Sequence, residues 1–292
     1  MAPFTRLIRF DSGGKIYFSD LGANTIEPPS PGSHVTAYLS LEDLESGKNG
    51  ATVTLDKAST SWLLLAPIPR DDIPIYCVGM NYRSHAAEAG LPVPANPPLW
   101  TKPATALAAP NEDIPLNKFC ASSFPDFEGE FVFVVARECR DITPTEAASY
   151  ILGYTIGNDL SCRLFQMPEQ TGGQFFFAKA FDKFAPLGPT LISPEAFGDG
   201  KGFKLITKVN GKVVQEVEIL KDMIFDPPRI LSFMSQGTTI PAGTAVMTGT
   251  PAGVGAFQKP RRFLENQDVV EIEVTKIGSL KNKIAFSREN TL

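Results

Sequence analysis

The sequence predicts an α+β fold that is mostly β-structure. Its 292 residues include 24 glycines and 25 prolines, which favours many turns over a helical bundle. Short apolar segments recur along the chain, and Asn210-Gly211 joins two of them in the pattern of a β-hairpin. The proline-rich segment 67–74 separates the N-terminal part of the chain, called the lead-in below, from the rest. We therefore expect a small β-rich N-terminal domain over residues 1–70 and a larger domain over residues 71–292.

The lead-in has the marks of a hairpin followed by a helix. Residues 6–10 and 15–20 are strand-like and are joined by the turn sequence Asp-Ser-Gly-Gly. Residues 26–33 are rich in proline and predict a loop. Residues 40–47 predict a short helix that begins near Ser40 or Leu41 and stops at Gly47.

The larger domain opens with a buried strand over residues 75–82 and a helix over residues 83–90. Four prolines then make residues 91–99 irregular. The later elements alternate in type and end in two hairpins. They are a strand over 127–136, a helix over 143–151 with Thr143 as N-cap and Pro144 at its first position, a strand over 152–159, and hairpins over 204–219 and 268–286.

Composition and charge exclude several classes of protein. The net charge of −5 argues against a nucleic-acid partner. No apolar stretch approaches the roughly 18 residues that span a bilayer, and no signal-peptide pattern opens the chain. We therefore expect no membrane partner and a cytoplasmic location, with import into mitochondria left open and secretion excluded. The cysteines lack metal-site spacing and predict reduced thiols. They are Cys77, Cys120, Cys139 and Cys162.

A group of carboxylates predicts a metal site. Glu128 and Glu130 flank a glycine in an apolar strand, so both side chains point to one face. Two neighbouring buried carboxylates favour a cation, and oxygen ligands suit Mg²⁺, Ca²⁺ or Mn²⁺. Asp159, at the end of another strand, offers a third ligand. The alternatives are a solvated sheet edge for the glutamates and a turn or cap for Asp159.

Two further features carry chemistry. His85 and Glu88 lie three residues apart on the expected helix, where a carboxylate orients an imidazole as a general base. The alternative is that His85 and Glu88 are neighbours by chance on an exposed helix. Lys179 lies in an apolar segment, so it needs an anion, either in a site or in a structural pair with Asp182.

Three more residues are candidates for substrate contacts. Arg163 and Gln166 follow Asp159 closely enough to line the same pocket, or they cap a helix. Thr250 lies in the glycine-rich segment 247–255, which presents backbone N–H groups or forms a tight turn. No Gly-Lys-Ser/Thr follows it, so it is not a phosphate-binding loop of that type.

Together these segments resemble the fumarylacetoacetate hydrolase family. The resemblance covers about residues 71–286, and the preceding β-rich segment is similar to the short N-terminal domain of many members. The family's usual Gly-Lys-Ser reads Ala-Lys-Ala at residues 178–180, and residues 168–177 are Phe-rich where a tryptophan is common. The matching segments, in the family's order, are YCVGMNYRSHAAE, PPLWTKP, DFEGEFVFVV, GYTIGNDLSCR, AKAFDKFAPLGP, VNGKVVQ and TGTPAGVG.

The resemblance implies a mixed β-sandwich roll, a homodimer and a Mg²⁺ or Mn²⁺ ion. It implies roles for nine residues: Glu128, Glu130 and Asp159 as metal ligands, His85 and Glu88 in activating water, Lys179 in stabilising negative charge, and Arg163, Gln166 and Thr250 in positioning the substrate.

The activity expected from the resemblance is cleavage of a C–C bond in a 2,4-dioxo acid of the acylpyruvate or fumarylpyruvate type. The same site also suits oxaloacetate decarboxylation and keto–enol tautomerisation or isomerisation. A protein that binds a metal or a small acid without turnover is the alternative from another class. In each case the expected partner is a small oxo acid.

Overall fold

The computed structural model describes residues 2–55 and 62–287. Its strands, in chain order, are β1 Arg6–Ser12, β2 Lys15–Asp20, β3 His34–Ala37, β4 Ala51–Thr54, β5 Trp62–Leu65, β6 Ile75–Val78, β7 Leu99–Lys102, β8 Leu107–Ala108, β9 Ile114–Leu116, β10 Pro125–Asp126, β11 Gly129–Val135, β12 Ile151–Asn158, β13 Ser161–Cys162, β14 Ala185–Ile192, β15 Lys204–Val209, β16 Lys212–Glu218, β17 Ala245–Met247, β18 Val269–Val274 and β19 Gly278–Phe286.

The helices are short, as the abundance of proline and glycine predicts. They are α1 Leu41–Ser46, α2 Arg83–Ala89, α3 Lys118–Ala121, α4 Pro144–Ala147, α5 Pro168–Thr171, α6 Phe176–Lys179, α7 Pro194–Phe197, α8 Ile219–Asp222 and α9 Pro227–Met234. Turns of 3-10 helix cover Ala104–Ala106, Ala148–Tyr150, Arg163–Gln166 and Gly255–Phe257. No helix in the described ranges is long and apolar enough to cross a membrane.

Two mixed sheets pack face to face. The larger has the order β2-β1-β14-β12-β11-β17-β6-β7, with β5 beside β1 and β8 beside β14. The smaller has the order β16-β15-β18-β19-β9. Phe131 and Ile156 of the first sheet share one core with Leu205 and Ile272 of the second. The expected strand-rich sandwich is confirmed.

The central strand β11 is buried on both faces. Phe131 and Phe133 point into the core between the sheets, whereas Val132 and Val134 pack against a second core that includes Leu7 of the lead-in. This double burial explains why the strand reads as a nearly continuous apolar run. It also places the residues at its start, including Glu130, inside the protein.

The lead-in joins the large sheet directly, because β1 pairs antiparallel with β14. The expected hairpin of β1 and β2 turns at Gly13 and Gly14, whose φ values are +64° and +78°. Helix α1 is capped by Ser40 and ends at Gly47 as expected. The boundary near residue 71 stays a prediction. Residues 56–61 of the lead-in lie outside the described residues.

Most local predictions for the larger domain are confirmed. Thr143 and Glu146 form a reciprocal capping box at α4, and Asn210-Gly211 is the turn between β15 and β16. The first buried strand is shorter than expected and ends at Val78, because Met80 has a φ of +48° and turns the chain into α2. The four cysteines are free and buried, as expected.

Candidate active site

The three predicted metal ligands lie together where β11 begins and β12 ends. Gly129 is paired with Asn158 in the ladder, and the Asp159 N–H donates to the Glu128 carbonyl at 2.9 Å. One oxygen from each of Glu128, Glu130 and Asp159 lies within 4.8 Å of the others. All three side chains are buried. The antiparallel pairing therefore assembles a cluster that the sequence places 31 residues apart.

Glu128 lies just before β11, not inside the strand as predicted. Its N–H donates to the side-chain oxygen of Asn158 at 3.1 Å, not to a backbone carbonyl of β12. Gly129 is required here, because a Cβ atom would lie 2.1 Å from the Thr207 hydroxyl oxygen. The backbone at Gly129 thus passes close to Thr207. Glu128 and Glu130, on either side of this glycine, lie on the same side of the chain.

Cations surround this cluster. Lys179 Nζ lies 2.9 Å from Glu128 Oε2 and 2.6 Å from Asp159 Oδ2. Lys102 Nζ lies 2.7 Å from Asp159 Oδ1, and Arg163 Nη1 lies 2.5 Å from Glu128 Oε1. The alternative pairing of Lys179 with Asp182 is wrong, since α6 ends with the ammonium group between the two site carboxylates.

Lys102 is a further residue of the site, and no sequence pattern predicted it. Its side chain is fully buried at the end of β7, and its ammonium group also donates to the carbonyls of Leu160, Lys179 and Phe184 at 2.8–3.0 Å. Lys102 thereby ties Asp159 to the backbone that carries Lys179. The only signal was a lysine within a segment that carries the family resemblance.

Burial and neighbouring charges shift the pKa values of Glu128, Glu130 and Lys179. Burial alone raises the pKa of Glu128, but the Coulombic attraction of Lys179, Arg163 and His85 outweighs it and lowers this pKa to about 2. Burial, and then the repulsion of Asp159 and Glu128, raise the pKa of Glu130 well above its usual value. Burial opposes the charge of Lys179, yet Asp159 and Glu128 raise its pKa overall.

The hydrogen bonding of the two Glu130 oxygens shows whether a metal ion fits this cluster. Its Oε2 accepts from the Gly249 N–H at 2.7 Å, whereas its Oε1 is buried and has no partner among the described residues. A buried carboxylate oxygen without a partner is costly unless another ligand completes it. An all-oxygen set of this kind suits a hard divalent cation, so Glu128, Glu130 and Asp159 fit Mg²⁺ or Mn²⁺.

The expected histidine–carboxylate pair is formed on α2. His85 Nδ1 lies 3.2 Å from Glu88 Oε2, and Glu88 Oε1 accepts from the Gly253 N–H at 2.9 Å. His85 is buried, not on an exposed face as in the alternative interpretation. The imidazole is one of the groups whose Coulombic attraction lowers the pKa of Glu128.

The three predicted substrate-contact residues occupy different settings. Arg163 bridges Asp126, at 2.8 Å, and Glu128, and its Nη1 also donates to Gln166 at 2.9 Å. The Thr250 hydroxyl is fully used, because it donates to the Gly129 carbonyl at 2.9 Å and accepts from Gln215 at 2.8 Å. Contact of Arg163, Gln166 and Thr250 with substrate stays a prediction.

Residues far apart in sequence support this arrangement and were also missed. Asp126 accepts from the N–H groups of Gly255 and Ala256, both at 2.9 Å, and so fixes the glycine-rich segment beside Arg163. Gln215 accepts from the Gly129 N–H at 3.1 Å. The Trp100 ring, on β7, lies 5.0 Å from Lys179 Nζ, and Phe175 from the Phe-rich segment 168–177 packs edge to face against Trp100 at 5.5 Å.

Comparison with known proteins identifies the family of this chain. The family model described as fumarylacetoacetate (FAA) hydrolase C-terminal matches residues 74–285. The chain belongs to the fumarylacetoacetate hydrolase family. The resemblance predicted from the sequence is confirmed, and the family is one of enzymes that includes hydrolases, isomerases and tautomerases.

Individual members of the family show how far the similarity extends. An uncharacterized protein of Archaeoglobus fulgidus is 43% identical over 71% of this chain and 77% of its own. The mitochondrial oxaloacetate tautomerase FAHD2A of Bos taurus is 34% identical over 89% of this chain and 82% of its own. The crystal structure of 5-carboxymethyl-2-hydroxymuconate delta-isomerase from Mycobacterium smegmatis is 33% identical, covers 97% of this chain and 100% of its own, and has a TM-score of 0.76.

Proposed function

We propose that this protein catalyses metal-dependent keto–enol tautomerisation or isomerisation of a 2-oxo acid. The observation that carries the proposal is the unpartnered Glu130 Oε1 within a buried carboxylate cluster next to the Lys179 ammonium group. Such a centre suits a reaction in which negative charge develops on a substrate oxygen. The similarity to an oxaloacetate tautomerase and to a delta-isomerase supports this outcome over C–C cleavage.

Glu128, Glu130 and Asp159 would hold the divalent cation. When bound, such a cation supplies Lewis acidity toward the oxygens of a 2-oxo acid. The buried side chains exclude bulk water, which strengthens every electrostatic interaction in the site.

Lys179 acts as a fixed positive charge in this proposal. The Coulombic attraction of Asp159 and Glu128 outweighs burial and raises its pKa, so it stays an ammonium ion at neutral pH. It therefore does not serve as a base. It stabilises the enolate oxygen as the C–H bond next to the carbonyl breaks.

His85 is the base. Its Nδ1 faces Glu88, which leaves Nε2 to take the proton from carbon. The electron pair of the broken C–H bond moves into the enolate. Return of that proton to oxygen gives the enol, and return to another carbon of a conjugated chain gives an isomer. No net proton is gained or lost.

Hydrolysis is the second candidate, and the His85–Glu88 pair favours it. The same base would take a proton from water as the oxygen attacks the distal carbonyl of a 2,4-dioxo acid. The C–C bond then breaks, and its electron pair leaves as the enolate of the shorter 2-oxo acid, beside Lys179. That enolate takes a proton back from His85, which restores the base. Decarboxylation of oxaloacetate differs, because loss of CO₂ forms the enolate without any base.

The test compares products with and without His85. EDTA-stripped protein, with and without added Mg²⁺ or Mn²⁺, is given oxaloacetate or acetylpyruvate, and NMR separates enol, keto, cleaved and decarboxylated products. We expect metal-dependent tautomerisation, and His85→Gln should slow it by about 10²–10⁴-fold. His34→Gln is the matched control, since His34 lies in β3 of the lead-in.

The proposal fails if His85→Gln turns over undiminished at full metal occupancy, which calorimetric titration measures. Two acids as the main products would favour hydrolysis instead. CO₂ production that is insensitive to His85→Gln would favour decarboxylation.

A further inference from the structure

The helix that carries His85 and Glu88 is too short to hold itself in place. Helix α2 has seven residues, and isolated helices shorter than about 12–15 residues are marginal in water. Its N-cap residue, Tyr82, provides no side-chain capping hydrogen bond, and its C-cap, Gly90, leads into the proline-rich residues 91–98. The position of His85 therefore depends on contacts that other parts of the chain make with α2.

Asp222 caps this helix from a distant part of the chain. It is the last residue of α8, and its two carboxylate oxygens accept from the Ser84 N–H at 3.1 and 3.3 Å. The Ser84 hydroxyl also donates to Asp222 Oδ2. An oxygen that accepts from an N–H in the first turn of a helix usually belongs to the N-cap side chain. Here it belongs to a residue 138 positions away, so the cap also ties α2 to α8.

The glycine-rich segment holds α2 at two further points. The Ala252 N–H donates to the Ser84 hydroxyl oxygen at 3.2 Å, and the Gly253 N–H donates to Glu88 Oε1 at 2.9 Å. Gly253 has a φ of +111°, and a Cβ atom there would lie 1.9 Å from the Val214 carbonyl oxygen of β16. Only glycine fits this close approach, which presents the N–H to Glu88.

The same segment is bonded to the carboxylate cluster. The Gly249 N–H donates to Glu130 Oε2 at 2.7 Å, and the Thr250 hydroxyl donates to the Gly129 carbonyl at 2.9 Å. Residues 249–253 thus contact the metal-ligand cluster at one end and α2 at the other. This short bridge, together with Asp222, determines where α2 lies relative to the cluster.

We propose that Ser84 and Asp222 are positioning residues for the reaction, which hold α2 so that the His85 imidazole faces a substrate at the metal. They act on His85 through the backbone of α2 and through the Ala252 N–H. The inference rests on the proposed function, in which His85 is the base. A base must lie within hydrogen-bond reach of the proton that it takes, and a displacement of about 1 Å can cost about 10²-fold in rate.

The first experiment measures kcat and KM for tautomerisation at saturating Mg²⁺. Asp222→Ala removes the distant cap and should lower kcat by about 10–10²-fold, with KM changed less than about twofold, because the substrate still binds at the metal. Ser84→Ala removes only the hydroxyl and should cost about tenfold. Asp222→Asn retains an oxygen that accepts from the Ser84 N–H and should keep most of the turnover.

The matched control is Ser46→Ala. Ser46 lies on α1 of the lead-in, and its hydroxyl donates to the Asp43 carbonyl of the same helix at 3.2 Å. Its loss should leave kcat unchanged. Unchanged kcat in Asp222→Ala as well would overturn the proposal.

A second experiment separates positioning of the base from a general effect on the fold. Asp222→Ala is introduced into the His85→Gln protein, where no base remains to be displaced. If Asp222 acts through His85, the residual enzyme-dependent rate should change by less than about twofold. An equal fold loss of kcat in both backgrounds would overturn the positioning role.

Amide hydrogen exchange measures the anchoring of α2 without reference to activity. In metal-free Asp222→Ala, the amides of α2 should exchange about tenfold faster than in the unsubstituted protein, with exchange in β11 unchanged. Unchanged exchange in α2 would overturn the proposal. Faster exchange in α2 combined with undiminished turnover by His85→Gln would overturn the proposed function and keep the anchoring of α2 by Asp222.

Discussion

Two buried clusters in this protein, one built around a single carboxylate and one around three, differ in how completely their carboxylate oxygens are partnered. Asp268, just before β18, accepts from both terminal nitrogens of Arg262 at 2.9 Å, from the Glu265 N–H at 2.8 Å and from Asn210 at 2.7 Å. Each of its oxygens has two donors. The cluster at the start of β11 instead leaves Glu130 Oε1 with no partner among residues 2–55 and 62–287.

The difference separates a structural carboxylate from a functional one. A fully hydrogen-bonded ion pair needs nothing further and joins the β15–β16 turn to the chain before β18. In the cluster at the start of β11, a buried oxygen of Glu130 and the Arg163 Nη2 atom have no hydrogen-bond partner in the described part of the chain, so a bound ligand would complete them. The first should affect stability alone, and the second should affect activity.

The largest expected effect is on stability, from Lys102→Met. Lys102 contacts Asp159 and three backbone carbonyls without exposure to solvent, so its loss leaves a buried charge and several acceptors uncompensated. We expect the free energy of unfolding to fall by about 3–5 kcal/mol in denaturant titration. Lys183→Met, which removes the half-exposed partner of Glu112, should cost less than about 1 kcal/mol. Equal effects would mean that the cluster contributes nothing special to stability.

The sharpest contrast between activity and stability is expected from Glu130→Gln. The variant retains an acceptor for the Gly249 N–H but loses the charge that a metal requires. Activity should fall by about 10²–10³-fold, and metal affinity should fall with it. Burial and the neighbouring carboxylates raise the pKa of Glu130, so its charge destabilises the metal-free fold at neutral pH.

Thermal unfolding in EDTA measures the second half of this prediction. The melting temperature of metal-free Glu130→Gln should equal or exceed that of the unsubstituted protein. With saturating Mg²⁺ the order should reverse, since the unsubstituted protein binds the metal more tightly and so gains more binding free energy. A lower melting temperature for the variant in EDTA would contradict the interpretation of Glu130 as a destabilising charge.

The sequence predicted the elements whose causes are local. Asn210-Gly211 dictates its own turn, Thr143 and Glu146 cap their own helix, and alternation places Glu128 beside Glu130. These depend on residues within a few positions of one another. The strand-rich sandwich followed from such signals and from the family resemblance.

What the sequence did not predict depends on contacts across the sheets. Lys102 meets Asp159 only because β7, β12 and α6 converge. Gln215 reaches Gly129 from the other sheet, and Asp126 fixes a segment about 130 residues away. No periodicity marks such partners, and the family segments that contain them do not show which residues they contact. The hydroxyl of Thr250, expected to face a substrate, is used by Gly129 and Gln215 for the same reason.

The smallest expected effect concerns Asp268 and appears as a change in acid stability. Burial raises the pKa of Asp268, but the bonds from Arg262, the Glu265 N–H and Asn210 outweigh it and lower this pKa below its usual value. The stabilisation is therefore present above the pKa of an unfolded aspartate, about 3.9, and is lost as the pH falls through the lower folded value. Asp268→Asn should cost about 1–3 kcal/mol at neutral pH and reduce the dependence of stability on pH below 5.

Activity provides the control, because substitution of a carboxylate with a purely structural role should not change kcat/KM. The kcat/KM of Asp268→Asn at a temperature where the variant is folded should match that of the unsubstituted protein. Denaturant titrations at neutral pH and at acid pH give the stability difference between the two proteins at each pH. A loss of activity without a loss of stability would place Asp268 with Glu130 and remove the distinction between the two clusters.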